Sequence, residues 1–178
     1  MRIFVFFIFM LLSGCISAPH LSDFLLPDYT LGRDLTIQVY RIDFNSSIPY
    51  NRRFPHIENK VPVSPEQALK DFIQQRIHTY QTHPYRLVVS IEQADLLQEK
   101  DPKPHWYQQD NIKFTLSYFI RLQFYQGNIF LSEKTIGGFE MRSIPKLSSL
   151  NKKEETWLDM MKCMLKKTNQ QIEEHYSK

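Results

Sequence analysis

"IKFTLSYFIRLQF", residues Ile112 to Phe124, decides the fold. Ile112, Phe114, Leu116, Tyr118, Ile120, Leu122 and Phe124 alternate with Lys113, Thr115, Ser117, Arg121 and Gln123. Successive side chains of a strand point to opposite faces, so this long period of two reads as one half-buried antiparallel strand. Phe119 and the following Tyr125 interrupt the polar side. That second face is therefore only half wet, and both aromatics are candidate contacts for a protein or a lipid.

Working outward, Gln126-Gly127-Asn128 turns the chain, because Gly-Asn favours positive φ and suits a tight hairpin. A return strand follows from Ile129 to about Ser143 and is ended by Pro145. Within it, Gly137-Gly138 marks a bulge or a close backbone approach. Asn151 stands three residues before Glu154 as an N-cap for a last helix reaching about Tyr176. Its apolar stripe is Trp157, Leu158, Met161, Leu165, Thr168 and Ile172.

Upstream, Leu87 to about Leu97 reads as a strand, and Gln98 to Asn111, with Pro102 and Pro104, as a loop. Trp106 and Tyr107 in that loop are candidate anchors for a protein partner or a lipid headgroup layer. "SPEQALKDFIQQRIHTY" is a helix start, with Ser64 as N-cap, Pro65 at the first helical position and Gln67 completing a capping box. Leu69, Phe72, Ile73, Ile77 and Tyr80 make its stripe, and Pro84 stops it. Before it lies an irregular stretch, Phe44 to Val63, broken by Pro49, Pro55 and Pro62. A stretch of that length either runs extended over the surface or belongs to a binding face. Leu35 to Asp43 alternates as a first strand.

The order is thus β-α-β-β-β-α. The first β-α-β makes a parallel crossover, and the hairpin adds antiparallel neighbours. The expected class is α+β, a mixed four-stranded sheet with both helices packed on one face. One domain spans 35–178, and 15–34 reads as a tether.

The start of the chain has another character. Arg2 precedes Ile3 to Leu12, a ten-residue run without a polar side chain. Ten helical residues cover ~15 Å, about half the hydrocarbon thickness of a bilayer, so the run has the proportions of a signal sequence rather than a span. Leu12-Ser13-Gly14-Cys15 follows and resembles the bacterial lipobox at all four positions. The resemblance implies that Leu12, Ser13 and Gly14 are read by the signal peptidase. The signal would be residues 1–14, and Cys15 would become an acylated N-terminus carrying chains such as palmitate. One chain holds marginally, whereas two or more anchor stably. Ile16, in place of the Asp that retains enterobacterial lipoproteins at the inner membrane, leans toward the outer membrane.

Composition narrows the chemistry. Of 178 residues 13 are Phe and 9 Tyr, against only 5 Gly, which suits a packed sheet rather than a disordered chain. A formal charge of +3 gives no reason to invoke nucleic acid. Two cysteines, one spent on lipid, leave Cys163 without a disulfide partner, as a semi-buried helix residue. No G-x-S-x-G, H-E-x-x-H, phosphate loop or C-x-x-C is present. His20, His56, His78, His83, His105 and His175 are scattered, so no metal and no cofactor is expected. Asp95, Glu99 and Asp101 read as a charged strand end, Arg52 and Arg53 as solvated, and no catalytic residue stands out.

Pro55-His56-Ile57-Glu58, Pro62, Pro65, Ala68-Leu69 and Arg76, with Trp157 opening the last helix, resemble a family of small uncharacterised bacterial envelope lipoproteins. More distantly, the element order is similar to auxiliary lipoproteins of envelope lipid transporters and to the lipoprotein that assists lipopolysaccharide insertion. The resemblance implies a lipid-anchored, non-catalytic periplasmic module. It would meet the membrane through acyl chains on Cys15 and bind envelope protein or lipid. A purely structural lipoprotein without a specific ligand is the alternative, and an enzyme the remoter one.

Overall fold

The computed structural model describes residues 37–49, 53–101 and 110–176. Its elements in chain order are β1 (Gln38–Val39), β2 (Arg41–Ser46), a 3-10 turn (Glu58–Lys60), α1 (Pro65–Arg76), β3 (His78–Thr79), β4 (Tyr85–Asp101), β5 (Asn111–Gln126), β6 (Ile129–Pro145) and α2 (Leu150–Tyr176). Ile112 to Phe124 is the heart of β5. Every second residue from Ile112 to Phe124 is at most 9% exposed. The sheet order is β2-β4-β5-β6, with β2 parallel to β4 and the other pairs antiparallel. The α+β class, the mixed four-stranded sheet and the parallel crossover through α1 are therefore as the alternation implied.

One face of this sheet is the core. Leu87, Val89 and Ile91 of β4 stand opposite Phe124, Leu122 and Ile120 of β5, and Ile136 and Ile144 of β6 continue the layer. A register shift between Ile91 and Gln93 then inserts Glu92. The sequence needs it: apolar residues recur at 87, 89 and 91, then at 94 and 96, and the extra residue returns Ala94 and Leu96 to the buried side. α1 buries Ala68, Leu69, Phe72 and Ile73, while α2 buries Trp157, Met160, Met161, Met164, Leu165, Thr168 and Ile172. Trp157 meets Phe114 edge-on at 5.7 Å. Each such side chain removed from water contributes about 1.5–3 kcal/mol.

Polar ties lock the helices in place. Arg76 is buried at the end of α1, donating from Nε to Asn169 Oδ1 (3.0 Å) and from Nη2 to Glu173 Oε1 (3.1 Å) of α2. Asn169 Nδ2 donates to the same Glu173 oxygen at 2.8 Å. On the far side, the Gln171 amide clasps the backbone of β6. Gly137 N–H donates to its Oε1 (3.2 Å), and its Nε2 donates to Gly137 O (3.1 Å).

Several boundaries differ from the sequence reading. α1 keeps its Ser64 cap, with Gln67 N donating to Ser64 Oγ at 3.2 Å. It ends at Arg76, well before Pro84, because His78–Thr79 pairs in parallel with Gln38–Val39 to form a separate two-stranded sheet. Tyr80 is accordingly exposed rather than part of the stripe. β4 runs on to Asp101, as its polar end stays paired with β5. α2 starts at Leu150, where Lys152 N donates to Ser149 Oγ (3.3 Å), so Ser149 and not Asn151 caps it. At the hairpin only Gly127 takes positive φ (60°), as a turn with glycine in the first central place requires. Gly137 and Gly138 mark no bulge; both are close approaches. A Cβ on Gly138 would lie 3.1–3.3 Å from the Tyr118 ring and hydroxyl, and one on Gly137 3.0 Å from Phe119 Cδ2 and from Tyr118 O.

Part of the irregular stretch before α1 lies along β4 where β2 leaves off, through one antiparallel bridge, His56 opposite Leu97, followed by the 3-10 turn. Ile57 N donates to Leu96 O and Gln98 N to Pro55 O, both at 2.9 Å. The Phe54–Pro55 bond is cis, and Ile57 is 1% exposed in the core. This segment completes the sheet edge.

Candidate functional site

The face of β5 opposite the helices carries Lys113, Thr115, Ser117, Phe119, Arg121, Gln123 and Tyr125, all half-buried. Its charges are largely matched across strands. Arg121 pairs with Glu92 at 2.7 Å and Lys113 with Glu99 at 3.2 Å, and Gln123 donates to Glu133 at 2.8 Å. Such exposed pairs are each worth a fraction of a kcal/mol, so they set the character of the face rather than its stability.

The two aromatics singled out in the sequence both lie on this face but are not brought together. Six residues apart on one strand, they are separated by about 20 Å. Phe119 stands opposite Gly137 and lies against it, covering backbone that a side chain would otherwise shield. The exposed Phe139 and Met141 of β6 continue this apolar patch opposite Ser117 and Thr115. Tyr125 sits at the hairpin end. The Arg86 guanidinium lies over its ring, 5.0 Å from the centroid, and Phe130 meets it edge-on at 5.7 Å. Beside them Arg41, Asp43, Asn45, Arg86, Gln123 and Tyr125 line an open groove of about 600 Å³. Asp43 bonds Arg41 and lies 3.8 Å from Arg86, so one carboxylate is shared between two guanidiniums.

A third constellation was invisible in sequence. Metal-ligating atoms of His56, Glu58 and Asp95 lie within 4.8 Å of one another. Sequence reasoning scattered these residues, because only the 3-10 segment lying along β4 brings them together. Glu58 Oε1 accepts Leu96 N–H at 2.9 Å and lies 3.0 Å from His56 Nδ1. The carboxylate thus serves β4 as a strand partner would.

Among titratable groups, burial pushes the Tyr118 phenol above its ordinary value, with neighbouring Thr168 and Lys167 opposing and Glu140 adding. Its hydroxyl makes no hydrogen bond of good geometry to any described residue. A hydrogen bond and ion pair with Glu140 raise Lys167. Cys163 is half-buried in α2, as expected. His78 and His83 flank Tyr80 in a file of rings, with centroids 6.4 and 6.1 Å from it. Leu12, Ser13, Gly14 and Cys15 lie outside the described residues, as do Trp106 and Tyr107. No helix among the described residues is long and apolar enough to cross a membrane.

The sequence matches no family model and no curated protein. Solved structures similar to it include bacterial lipoproteins. A minor lipoprotein from Acinetobacter baumannii is 12% identical with a TM-score of 0.42, covering 79% of this chain and 92% of that one. Rare lipoprotein B from Shewanella oneidensis is 10% identical, TM-score 0.41, over 77% and 94%. An uncharacterised lipoprotein B from Nitrosomonas europaea is 14% identical, TM-score 0.42, over 83% and 88%. Likeness of this order says nothing about what this chain binds.

Proposed function

We propose that the chain is a lipid-anchored, non-catalytic accessory module of the cell envelope. It faces the periplasm, from the outer membrane, and serves an assembly or lipid-transport machine by binding protein or lipid on its helix-free sheet face. The carrying observation is Leu12-Ser13-Gly14-Cys15 directly behind the ten-residue apolar run. The architecture supports the binding role: both helices pack on one side, and the other side offers the patch around Phe119, Phe139 and Met141. The one convergent group of metal-ligating side chains among the described residues is tied to the β4 backbone through Glu58, which favours a structural duty over chemistry.

The test is made in the native host. Wild-type protein should carry acyl mass on Cys15, fractionate with membranes and crosslink into a discrete envelope complex. Cys15→Ala should lose the acyl mass and leave the membrane fraction. An unmodified, unprocessed terminus on the wild type sinks the anchor, and a lone monomer after crosslinking sinks the accessory role. A purely structural lipoprotein is the competing reading, favoured by the mutual pairing of the open face's charges. Native mass spectrometry separates the two, since a retained phospholipid argues for lipid handling.

A further inference from the structure

The described chain begins at Ile37 and joins the sheet at a defined end. Tyr40 N–H donates to Tyr85 O at 2.8 Å, Tyr85 stands opposite Gln126, and Gln126 opposite Ile129. The strand residues nearest the N-terminal segment are therefore level with the tip of the β5–β6 hairpin. From Leu122 to Ser132 the sequence has no charged side chain. Ile129, Phe130 and Leu131 are consecutive and 68, 52 and 45% exposed. Three successive apolar residues cannot all face a core in a strand, and the shift of register beside Tyr125 is where this run sits.

The surroundings of the tip have the chemistry of a lipid interface. Tyr40, Tyr80 and Tyr85 are exposed at the same end, and ring centroids of Tyr80, His83 and Tyr85 follow one another at 6.1 and 6.5 Å. Tyrosines with an apolar body and a polar tip gather at headgroup level in membranes. Arg41 and Arg86 line the adjoining groove with Asp43, leaving an excess of positive charge where lipid phosphates would lie. At the opposite end the described strands finish in ion pairs of Glu99, Lys113, Asp110 and Lys146, next to the exposed Leu147 and Leu150.

The geometry points to the hairpin tip as a second membrane contact. Ile129, Phe130 and Leu131 dip into the acyl boundary of the bilayer that holds the lipid on Cys15, with the tyrosines and arginines at headgroup depth. The inference rests on the lipid anchor proposed above. Twenty-one residues separate Cys15 from Ile37. They allow the point of joining to lie up to about 80 Å from the acylated end. The end that receives this segment is within reach of the bilayer, and it carries the apolar triplet, the tyrosines and the arginines that suit one. Docked this way, the body stands on its hairpin, and its open face runs up from the membrane.

The test uses the full chain, processed in its host, purified and reconstituted in vesicles of phosphatidylethanolamine and phosphatidylglycerol. Phe130→Trp places a reporter at the tip, Ile129→Trp repeats it at a neighbouring position, and Leu147→Trp reports from the far end, where Leu147 is 83% exposed. Each is measured as the difference from wild-type fluorescence. Tip reporters should be quenched about twofold by lipids labelled just below the headgroup, with Leu147→Trp unaffected. Unquenched tip reporters on protein that still floats with the vesicles overturn the contact and leave the anchor standing. Quenching at 147 instead overturns it by showing the body the other way up. Protein that fails to float defeats the anchor and this inference together.

Discussion

The two faces of the sheet are built from the same strands yet obey different rules. On the helix side, Leu87, Val89, Ile91, Leu116, Ile120 and Leu122 are all fully buried. The open side has matched charges, threonine and serine, and a few aromatics that each cover something local: Phe119 lies on Gly137 and Tyr125 stacks under Arg86. The first face holds the molecule together by volume and packing density. The second has no such packing demand, so the apolar side chains exposed on it, Phe139 and Met141, are available for contacts outside the chain.

A paired substitution gives the largest expected contrast. Phe114→Ala, opening a hole beside Trp157, should cost about 3–5 kcal/mol, whereas Phe119→Ala on the facing side should cost about 1 kcal/mol. Denaturant unfolding measures both, and similar losses would erase the distinction between the faces. Next in size is the tie between helices. Arg76→Met removes the guanidinium bonds to Asn169 and Glu173, leaving the Asn169–Glu173 bond in place, and should cost about 2–3 kcal/mol, below the figure for a fully buried pair because Glu173 is 30% exposed. A loss under half a kcal/mol would mean that apolar contact alone seats α1 on α2.

At the sheet edge, Glu58→Ala orphans the Leu96 N–H and should cost about 1.5 kcal/mol. Glu58→Gln, whose amide oxygen still accepts, should recover most of it, and equal losses in the two variants would contradict the strand-partner role. The smallest effect has the opposite sign. Tyr118 buries a hydroxyl without a good partner, so Tyr118→Phe should leave stability unchanged or raise it by up to about 1 kcal/mol. The folded protein holds the phenol's proton more tightly than the unfolded chain does. Its stability contribution is therefore complete below about pH 10 and lost as pH rises through the elevated native value. Tyr118→Phe should flatten that alkaline decline; an unchanged decline would place its origin elsewhere.

How legible all this was depended on whether the determining contacts were periodic. The alternation from Ile112 to Phe124 required one face to be buried, and the sheet follows it. Even the phase slip between Ile91 and Ala94 was in print, although a bulge is only one way to absorb such a slip. The C-terminal boundary of α1 was not legible, because Ile77-His78-Thr79-Tyr80 continues a helical spacing while the partner that draws it into a strand lies at Gln38–Val39. Glu58 reaching Leu96, and its meeting with His56 and Asp95, depend on a segment with no period at all. The apolar triplet at the hairpin tip did carry a signal. Ile129-Phe130-Leu131 breaks the alternation that a half-buried strand obeys, and read as a plain return strand it loses that information.

The glutamine clasp on β6 has a consequence for solubility. A long outer strand is a template, and a second copy could add its own strand there, and a third after it, growing a fibre. Gln171 closes that docking line partway along by presenting to Gly137 the donor and acceptor a newcomer would bring. Because Gln171 belongs to the helix that also fills the core, runaway addition at this position must first lift α2, and polymerisation there is gated by the same packing that keeps the domain folded.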